Sequence, residues 1–180
     1  MRFLRVITAF LLVFTMTAAV KNINSANGNG GAAMEKIKVY DYKTGKTIET
    51  EKITLSEEQW KKTLGEDVCL IVRKKGTEMP FTGKLLKNSK KGVYKCAACG
   101  LGLFKSDAKF DSGTGWPSFF EPLSKLNIAE IKDTSHGMTR VETVCARCGA
   151  HLGHVFNDGP KPTGLRYCIN SKALIFEEIK

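Results

Sequence analysis

Beyond Gly83 the chain alternates apolar and polar residues in short runs that Gly, Pro, Asn and Asp interrupt. Such runs are typical of half-buried strands. The candidate strands are 93–94, 101–104, 128–131, 138–144 and 173–176. Earlier, Ile37 and Val39 alternate with polar residues, Thr44-Gly45 provides a turn, and 47–53 returns, so a β-hairpin is predicted there as well.

Two helices are predicted between this hairpin and the β-rich region. Ser56 stands three residues before Gln59, which is the capping-box spacing, and Trp60 and Leu64 follow on one face before a glycine. A second helix is predicted over 66–75, although its apolar centre would also suit a strand by propensity.

The first residues resemble a targeting segment. Arg2 and Arg5 precede an uncharged run over 6–20, and small residues follow. A run of this length is shorter than the ~20 apolar residues of a spanning helix and suits a signal peptide over 1–26. An uncleaved membrane anchor is the alternative, and export is expected in both cases. Residues 27–54, which begin with Gly, Asn and Ala, are interpreted as a linker and N-terminal extension.

Composition adds little to this picture. The 180 residues include 28 Lys and Arg against 18 Asp and Glu, a net charge of +10, and 42% of residues are hydrophobic. That length suits one domain with an added arm. The positive charge raises nucleic acid as a partner, but it also suits an enzyme with basic flanks, so charge alone does not separate the two.

Four of the six cysteines stand in two copies of one motif, Cys-x-x-Cys-Gly, at 96–100 and 145–149. Each copy can turn tightly and direct two thiolates at one ion, and four thiolates suit tetrahedral zinc. Redox-active or structural disulfides are the alternative in an exported protein. Because 45 residues separate Cys99 from Cys145, the metal would join two distant hairpins. A four-thiolate site leaves no open position, so the zinc is predicted to be structural.

Cys69 and Cys168 remain outside these motifs. If 165–171 is a strand, Arg166, Cys168 and Asn170 share one face. The arginine would then stabilise a Cys168 thiolate, and the asparagine could hydrogen-bond a substrate. A buried, inert cysteine is the alternative for either thiol.

Three further side chains suit thiol chemistry. His151 and His154 follow the second motif directly, and with four thiolates at the metal their imidazoles are free for proton transfer; hydrogen bonding within a turn is the alternative. Trp116 stands between Gly115 and Pro117, which suits an indole presented to a methyl group of partial positive charge, or simply a core residue.

The order and the residues of the motifs resemble those of the methionine sulfoxide reductase B family. The resemblance covers about 55–180, and its motifs are CAAC at 96–99, GTGWPSF at 113–119, CARCGAHLGHVF at 145–156 and DGPKPTGLRYCIN at 158–170. It implies a mainly β domain of two antiparallel sheets with short N-terminal helices, stapled by one structural zinc ion on Cys96, Cys99, Cys145 and Cys148. It also implies reduction of the R epimer of methionine sulfoxide in oxidised proteins and peptides.

The resemblance assigns roles to the remaining residues. Cys168 matches the nucleophile, which would become a sulfenic acid, and His154 matches the main acid, with His151, Asn170 and Arg166 beside it. Trp116 matches the indole that receives the substrate methyl group, with Phe156 as a second substrate contact.

The chain departs from many family members at Thr114, where they carry the resolving cysteine. Either Cys69 closes a disulfide with Cys168, or an external thiol attacks the sulfenic acid directly. The final reductant would be a thioredoxin-like protein.

Three other classes are weighed against this enzyme. They are a zinc-knuckle nucleic-acid reader, a zinc-stabilised chaperone-like protein without the nucleophile, and a disulfide isomerase. Export disfavours the nucleic-acid reader, and the presence of Cys168 disfavours the chaperone-like protein. A disulfide isomerase would need a CxxC motif that is free of metal. A monomer without nucleic acid is expected, in a periplasm or secreted, with a eukaryotic secretory lumen or membrane anchoring as alternatives.

Overall fold

The computed structural model describes residues 35–179. The predicted signal peptide over 1–26 and the beginning of the predicted linker therefore lie outside the described residues. Within 35–179, no helix is long and apolar enough to cross a membrane.

Eleven strands and two helices follow one another along the described chain. The elements are β1 (Lys36–Asp41), β2 (Lys46–Glu51), α1 (Glu57–Leu64), α2 (Glu66–Val72), β3 (Gly92–Cys96), β4 (Gly102–Lys105), β5 (Lys109–Phe110), β6 (Ser118–Phe119), β7 (Ile128–Asp133), β8 (Arg140–Cys145), β9 (His151–Phe156), β10 (Arg166–Ile169) and β11 (Leu174–Glu178). Short 3-10 turns lie at Ser106–Ala108, Ser135–Gly137 and Ser171–Ala173.

The N-terminal elements form as their sequence signals predict. β1 and β2 pair as an antiparallel hairpin around Gly45, which has a φ of +68°. α1 begins after Ser56 with both capping-box hydrogen bonds and ends at Gly65. The segment that was ambiguous between helix and strand is the helix α2, which ends three residues earlier than the pattern suggested.

All strand pairs are antiparallel. The largest sheet has the order β5-β6-β10-β9-β8-β7, and a second has the order β11-β3-β4. The β1–β2 hairpin is a sheet of its own, tied to the rest through the buried amide of Asn127, which exchanges hydrogen bonds with the backbone of Tyr40 at 2.7 and 2.8 Å. The predicted mainly β class with antiparallel sheets and short helices is confirmed, although the sheets number three.

The core lies between the two larger sheets and the helices. Aromatic rings dominate it: Phe104 stacks on Phe119 with ring centroids 4.4 Å apart, and Tyr94 meets Phe119 edge-on at 5.0 Å. These three rings are fully buried. Rings of this size remove large apolar areas from water, so the packing fixes how β3, β4 and β6 face one another.

The alternation rule missed some strands. β5 and β6 have only two residues each, and β9 carries His-Leu-Gly-His-Val-Phe, in which two histidines interrupt the apolar pattern. Three consecutive residues at the start of β9, His151, Leu152 and Gly153, are buried, so its burial does not alternate along the strand.

Candidate active site and metal centre

The four cysteines of the repeated motif lie together. Their sulfurs are all within 4.8 Å of one another, with 3.5 Å between Cys99 Sγ and Cys145 Sγ and 3.7 Å between Cys96 Sγ and Cys148 Sγ. Zinc about 2.3 Å from four tetrahedral sulfurs requires sulfurs about 3.8 Å apart. The cage therefore fits one zinc ion. All four thiols are free, and the spacing is too wide for the disulfide alternative, whose S–S bond is about 2.05 Å.

Each half of the cage is made by the turn that ends a strand. Cys96 is the last residue of β3 and Cys145 the last residue of β8. The backbone N–H groups of Gly100 and Gly149 donate back to the carbonyls of these cysteines at 2.8 Å. Both glycines have positive φ, +74° and +66°, which explains the glycine that closes each motif.

The strand register places the candidate catalytic residues in a row. Ser118 of β6 lies opposite Cys168 of β10, Cys168 opposite His154 of β9, and His154 opposite Glu142 of β8. Residues directly opposite on antiparallel strands project to the same face with Cβ atoms about 4.5–5.5 Å apart. The register therefore aligns a thiol, an imidazole and a carboxylate.

Cys168 opens onto a cavity of about 150 Å³. The structure thus brings four of the sequence-predicted residues, Trp116, His154, Phe156 and Asn170, around the thiol. The lining is Thr77, Trp116, Arg140, Gly153, His154, Phe156, Cys168 and Asn170. His151 and Arg166, also predicted, are buried behind this wall and do not line it.

The indole of Trp116 is fixed at the cavity wall. Its Nε1–H donates to the backbone carbonyl of Glu78 at 3.0 Å. Glu78 is itself buried, and its carboxylate accepts the backbone N–H groups of Ser171 and Lys172, directly after the nucleophile's strand. The indole is therefore held in one orientation relative to Cys168.

The Cys168 thiol is protonated at rest more firmly than an ordinary cysteine. Burial raises the pKa of Cys168, while the Thr114 hydroxyl and the charge of Arg166 lower it without cancelling that effect. Thr114 Oγ1 lies 3.9 Å from Cys168 Sγ. Behind it, Ser112 Oγ lies 2.8 Å from both Thr114 Oγ1 and Ser118 Oγ, so three hydroxyls form a chain that ends at the thiol.

Arg166 is held by another charge. Its Nε and Nη2 donate to the two carboxylate oxygens of Asp158, at 2.9 Å each, and its guanidinium carbon lies 4.5 Å from the centroid of the Phe156 ring. Arg166 also lowers the pKa of Cys168, although burial outweighs it, and its guanidinium packs on the Phe156 ring.

His154 is oriented by a carboxylate. Its Nε2 lies 2.8 Å from Asp133 Oδ2, which also accepts Arg140 Nη2–H at 2.8 Å. Hydrogen bonds from Ser135 and His154 lower the pKa of Asp133 well below its usual range, so this carboxylate is ionised. With Nε2–H bound to it, Nδ1 is the ring nitrogen left for a substrate.

His151 has a separate partner. Its Nδ1 lies 2.7 Å from Glu142 Oε1, and Lys75 Nζ lies 2.7 Å from Glu142 Oε2. Burial lowers the pKa of His151, so its ring is neutral near pH 7. Burial opposes ionisation of Glu142, but hydrogen bonds from Lys75 and His151 outweigh it and lower the pKa of Glu142. The ring centroids of His151 and His154 are 5.5 Å apart, so His151 supports the acid from behind.

Both polar atoms of the Asn170 side chain form hydrogen bonds with backbone groups. Its Oδ1 accepts Glu78 N–H at 3.0 Å, and its Nδ2 donates to the Leu152 carbonyl at 3.1 Å. Asn170 therefore links its own segment to those of Glu78 and Leu152, and its side chain also lines the cavity.

Cys69 lies on α2 within the hydrophobic core, and 8% of its surface is exposed. It does not line the cavity among the residues that the structure describes. Its role as the resolving cysteine stays a prediction.

Sequence reasoning missed the charged residues that support the site: Lys75, Glu78, Asp133, Arg140 and Glu142. Their partners are 7 to 94 residues away along the chain. The register of β7, β8 and β9 could have identified the three on these strands, although the bulge between Thr143 and Val144 shifts it, whereas Lys75 and Glu78 lie in the loop after α2.

Comparison with known proteins agrees with this geometry. The SelR domain family matches residues 64–178. The chain is 58% identical over 126 residues to a protein named peptide methionine sulfoxide reductase MsrB from Leptospira interrogans, covering 70% of this chain and 96% of that relative. A relative of the same name from Methanosarcina barkeri is 59% identical over 122 residues, covering 68% of this chain and 86% of the relative.

The matched region contains the cysteine cage, both histidines, Trp116 and Cys168, in one continuous alignment with proteins of nearly the same domain length. The chain belongs to the MsrB family of methionine sulfoxide reductases.

Proposed function

We propose that the protein reduces the R epimer of methionine sulfoxide in oxidised proteins and peptides, with Cys168 as nucleophile. The observation that supports this most strongly is the 150 Å³ cavity in which a thiol, an anchored indole and a carboxylate-held imidazole meet. The indole face suits the substrate's S-methyl group, because the methyl carries partial positive charge. Selectivity for the R epimer is carried over from the family.

The chemistry follows from the weak leaving ability of sulfoxide oxygen. His154 donates a proton from Nδ1 to that oxygen while the Cys168 thiolate forms a bond to the sulfoxide sulfur. The oxygen then transfers from the substrate sulfur to the Cys168 sulfur: the substrate's sulfur–oxygen bond and the sulfur–sulfur bond break, Cys168 becomes a sulfenic acid, and methionine leaves with two more electrons on its sulfur. Because burial raises the pKa of Cys168, the thiol starts protonated, and Nδ1 of His154 accepts this proton as the thiolate forms; it is the proton that the ring then donates to the sulfoxide oxygen.

The cysteine cage is a structural part of this proposal. Bound zinc would offset two of the four thiolate charges and join the ends of β3 and β8. The four cage cysteines do not line the Cys168 cavity in the described part of the chain, so their role in this proposal is to hold the fold.

The test of the nucleophile is Cys168→Ser, assayed with peptides that carry either the R or the S sulfoxide. We expect the parent chain to reduce only the R peptide and the variant to reduce neither, since serine lacks the polarisable sulfur. Unchanged zinc content in the variant is the control for folding. Turnover of the R peptide by the variant would remove Cys168 from the mechanism.

A second thiol must clear the sulfenic acid, releasing water as a disulfide forms. We propose that Cys69 supplies it and that a thioredoxin-like protein then reduces the bridge. Disulfide geometry requires Cα atoms about 4.4–6.8 Å apart, and Cys69 would have to meet this requirement from α2, where it is packed in the core. Direct attack by an external thiol on Cys168 is the competing route.

Mass spectrometry after one turnover separates the two routes. With Cys69 as resolver, a Cys69–Cys168 bridge appears, and Cys69→Ser slows recycling while the first turnover is retained. A sulfenic acid that a dimedone probe traps equally in both chains, with unchanged recycling, would show that the external thiol attacks Cys168.

We also propose an exported location, supported by Arg2, Arg5 and the uncharged run that follows them. Cell fractionation of the full chain beside a chain lacking residues 1–26 tests it. Equal cytoplasmic recovery of both chains would contradict export.

A further inference from the structure

A second depression adjoins the catalytic cavity and is larger. Its volume is about 520 Å³, against about 150 Å³ at Cys168. We call it the lysine groove, defined by Phe81, Leu86, Lys87, Lys90, Lys109 and Phe110. A cavity of 150 Å³ is below the ~300–1,000 Å³ of typical ligand pockets, so the catalytic cavity has room for one side chain and little else.

One loop forms the wall between the two depressions. Thr114 and Trp116 line or contact the Cys168 side, whereas Gly113, Gly115 and Pro117 line the lysine groove. A polypeptide whose oxidised methionine enters the cavity must therefore run across this loop. One flank of that polypeptide would then lie in the lysine groove.

The junction carries an exposed aromatic side chain that the backbone holds rigidly. Phe81 is 68% exposed and has a φ of +66°, a conformation that side chains other than Gly rarely adopt. Its N–H donates to the Gly115 carbonyl at 2.8 Å, which ties it to the shared loop. Met79, 73% exposed, stands two residues earlier. A strained and exposed aromatic at such a point suits contact with a ligand.

The groove is positively charged. Three lysines line it against one acid, Asp111. Lys90 pairs with Glu178, and Lys109 donates to the Leu86 carbonyl at 2.6 Å, while Lys87 forms no ion pair within 35–179. Burial lowers the pKa of Lys109, so this cation is partly desolvated and only Asp111 opposes it. Such a surface favours an anionic partner.

We propose that the lysine groove binds the polypeptide flanking the methionine sulfoxide and selects flanks that combine an acidic with an apolar side chain. This inference rests on the proposed function, and it adds a preference among substrates. The acidic group would pair with Lys87 and Lys90, and the apolar group would pack on Phe81.

The test compares kcat/KM on two peptides of equal length, with the sulfoxide flanked by Glu-Leu or by Lys-Leu on each side in turn. A capped methionine sulfoxide, too short to reach the groove, is the reference substrate. We expect the acidic peptide to be favoured in one flank position, and less so at high salt. In Lys87→Glu/Lys90→Glu, the ratio of acidic peptide to capped substrate should fall about two- to thirtyfold, since two exposed pairs contribute about 0.2–1 kcal/mol each.

The matched control is Lys38→Glu/Lys46→Glu in the β1–β2 hairpin, which makes the same charge change at exposed positions outside the groove. The control should leave the ratio unchanged. Equal ratios in the groove variant and the control variant, or equal kcat/KM on the acidic and basic peptides, would overturn the proposal. Absence of turnover on every sulfoxide would instead contradict the proposed function.

A second variant tests the apolar half. Phe81→Asn removes the ring, and asparagine tolerates positive φ, so the backbone is retained. We expect Phe81→Asn to lower kcat/KM more on Glu-Leu peptides than on Glu-Ser peptides, when each value is divided by that of the parent chain. An identical change for both peptides would show that the ring contacts no apolar flank.

Discussion

The two cysteine regions of this protein place the same side chain in opposite settings. At the metal centre, three of four cysteines are at most 5% exposed and every sulfur has three others within 4.8 Å. At the catalytic face, Cys168 is a single thiol, and a neutral hydroxyl, Thr114 Oγ1, lies 3.9 Å from its sulfur. At the metal centre, a divalent cation would stabilise the negative charge of the thiolates. At the catalytic face, few groups stabilise the negative charge of a Cys168 thiolate.

This difference explains how one chain contains both inert and reactive thiols. Four thiolates in a dry cage need a cation, and once it is bound they share their charge with it. Burial raises the pKa of Cys168, and the Thr114 hydroxyl and Arg166, which is paired with Asp158, do not cancel that effect, so the pKa stays above the usual value. Its thiolate, when formed, keeps its full nucleophilicity.

The largest expected effect separates the two regions directly. Cys148→Ser should lose zinc and much of the free energy of unfolding, because structural zinc sites contribute about 10 kcal/mol or more of apparent binding free energy in small peptides. Cys168→Ser should keep one zinc per chain and the parent Tm. Metal analysis and thermal unfolding of both variants measure this. A folded, metal-free and active Cys148→Ser chain would remove the distinction.

The metal centre was the easier region to predict from sequence. Its four ligands come in two local motifs, and each turn needs only its own glycine, Gly100 or Gly149. α1 was predictable for the same reason, since its capping box is contained within four residues. Local signals of this kind do not depend on how strands pair.

The catalytic face depends on pairing that no local pattern specifies. Cys168, His154 and Glu142 align only because β10, β9 and β8 adopt one register, and β9 itself lacks an alternating pattern. Lys75 reaches Glu142 across 67 positions of sequence. The family resemblance implied the roles of Cys168 and His154. The carboxylates that orient the two imidazoles, Asp133 and Glu142, could be identified only from the structure.

The next effect sharpens the contrast between the two histidines. His154→Ala should slow a single turnover by about 10²–10⁴-fold, as loss of a general acid does, since this ring lines the cavity. His151→Ala should cost less, because that ring is buried behind it against Glu142. Rapid-quench measurement of methionine release, with zinc content as the folding control, compares them. Equal losses in both variants would contradict the assignment of one acid and one support.

The smallest expected effect concerns the Thr114 hydroxyl, which lies 3.9 Å from the sulfur of the nucleophile. Thr114→Val keeps the shape but removes the donor that lowers the pKa of Cys168. A neutral hydrogen bond contributes about 0.5–1.5 kcal/mol, which corresponds to a rise of about 0.4–1 pKa unit. Less thiolate is then present at pH 7, so alkylation of Cys168 should slow by about three- to tenfold there and reach the parent rate at high pH.

Iodoacetamide kinetics from pH 6 to 11 in a Cys69→Ser background, with zinc bound, isolate the Cys168 signal. Thr114→Ser retains the hydroxyl and should restore the parent profile, whereas Ser112→Ala, which removes the hydroxyl 2.8 Å behind Thr114, should give an intermediate shift. A profile that does not move in Thr114→Val would mean that burial alone sets the reactivity of Cys168. The contrast with the metal-held thiolates would then be one of solvation, with no contribution from the hydroxyl chain.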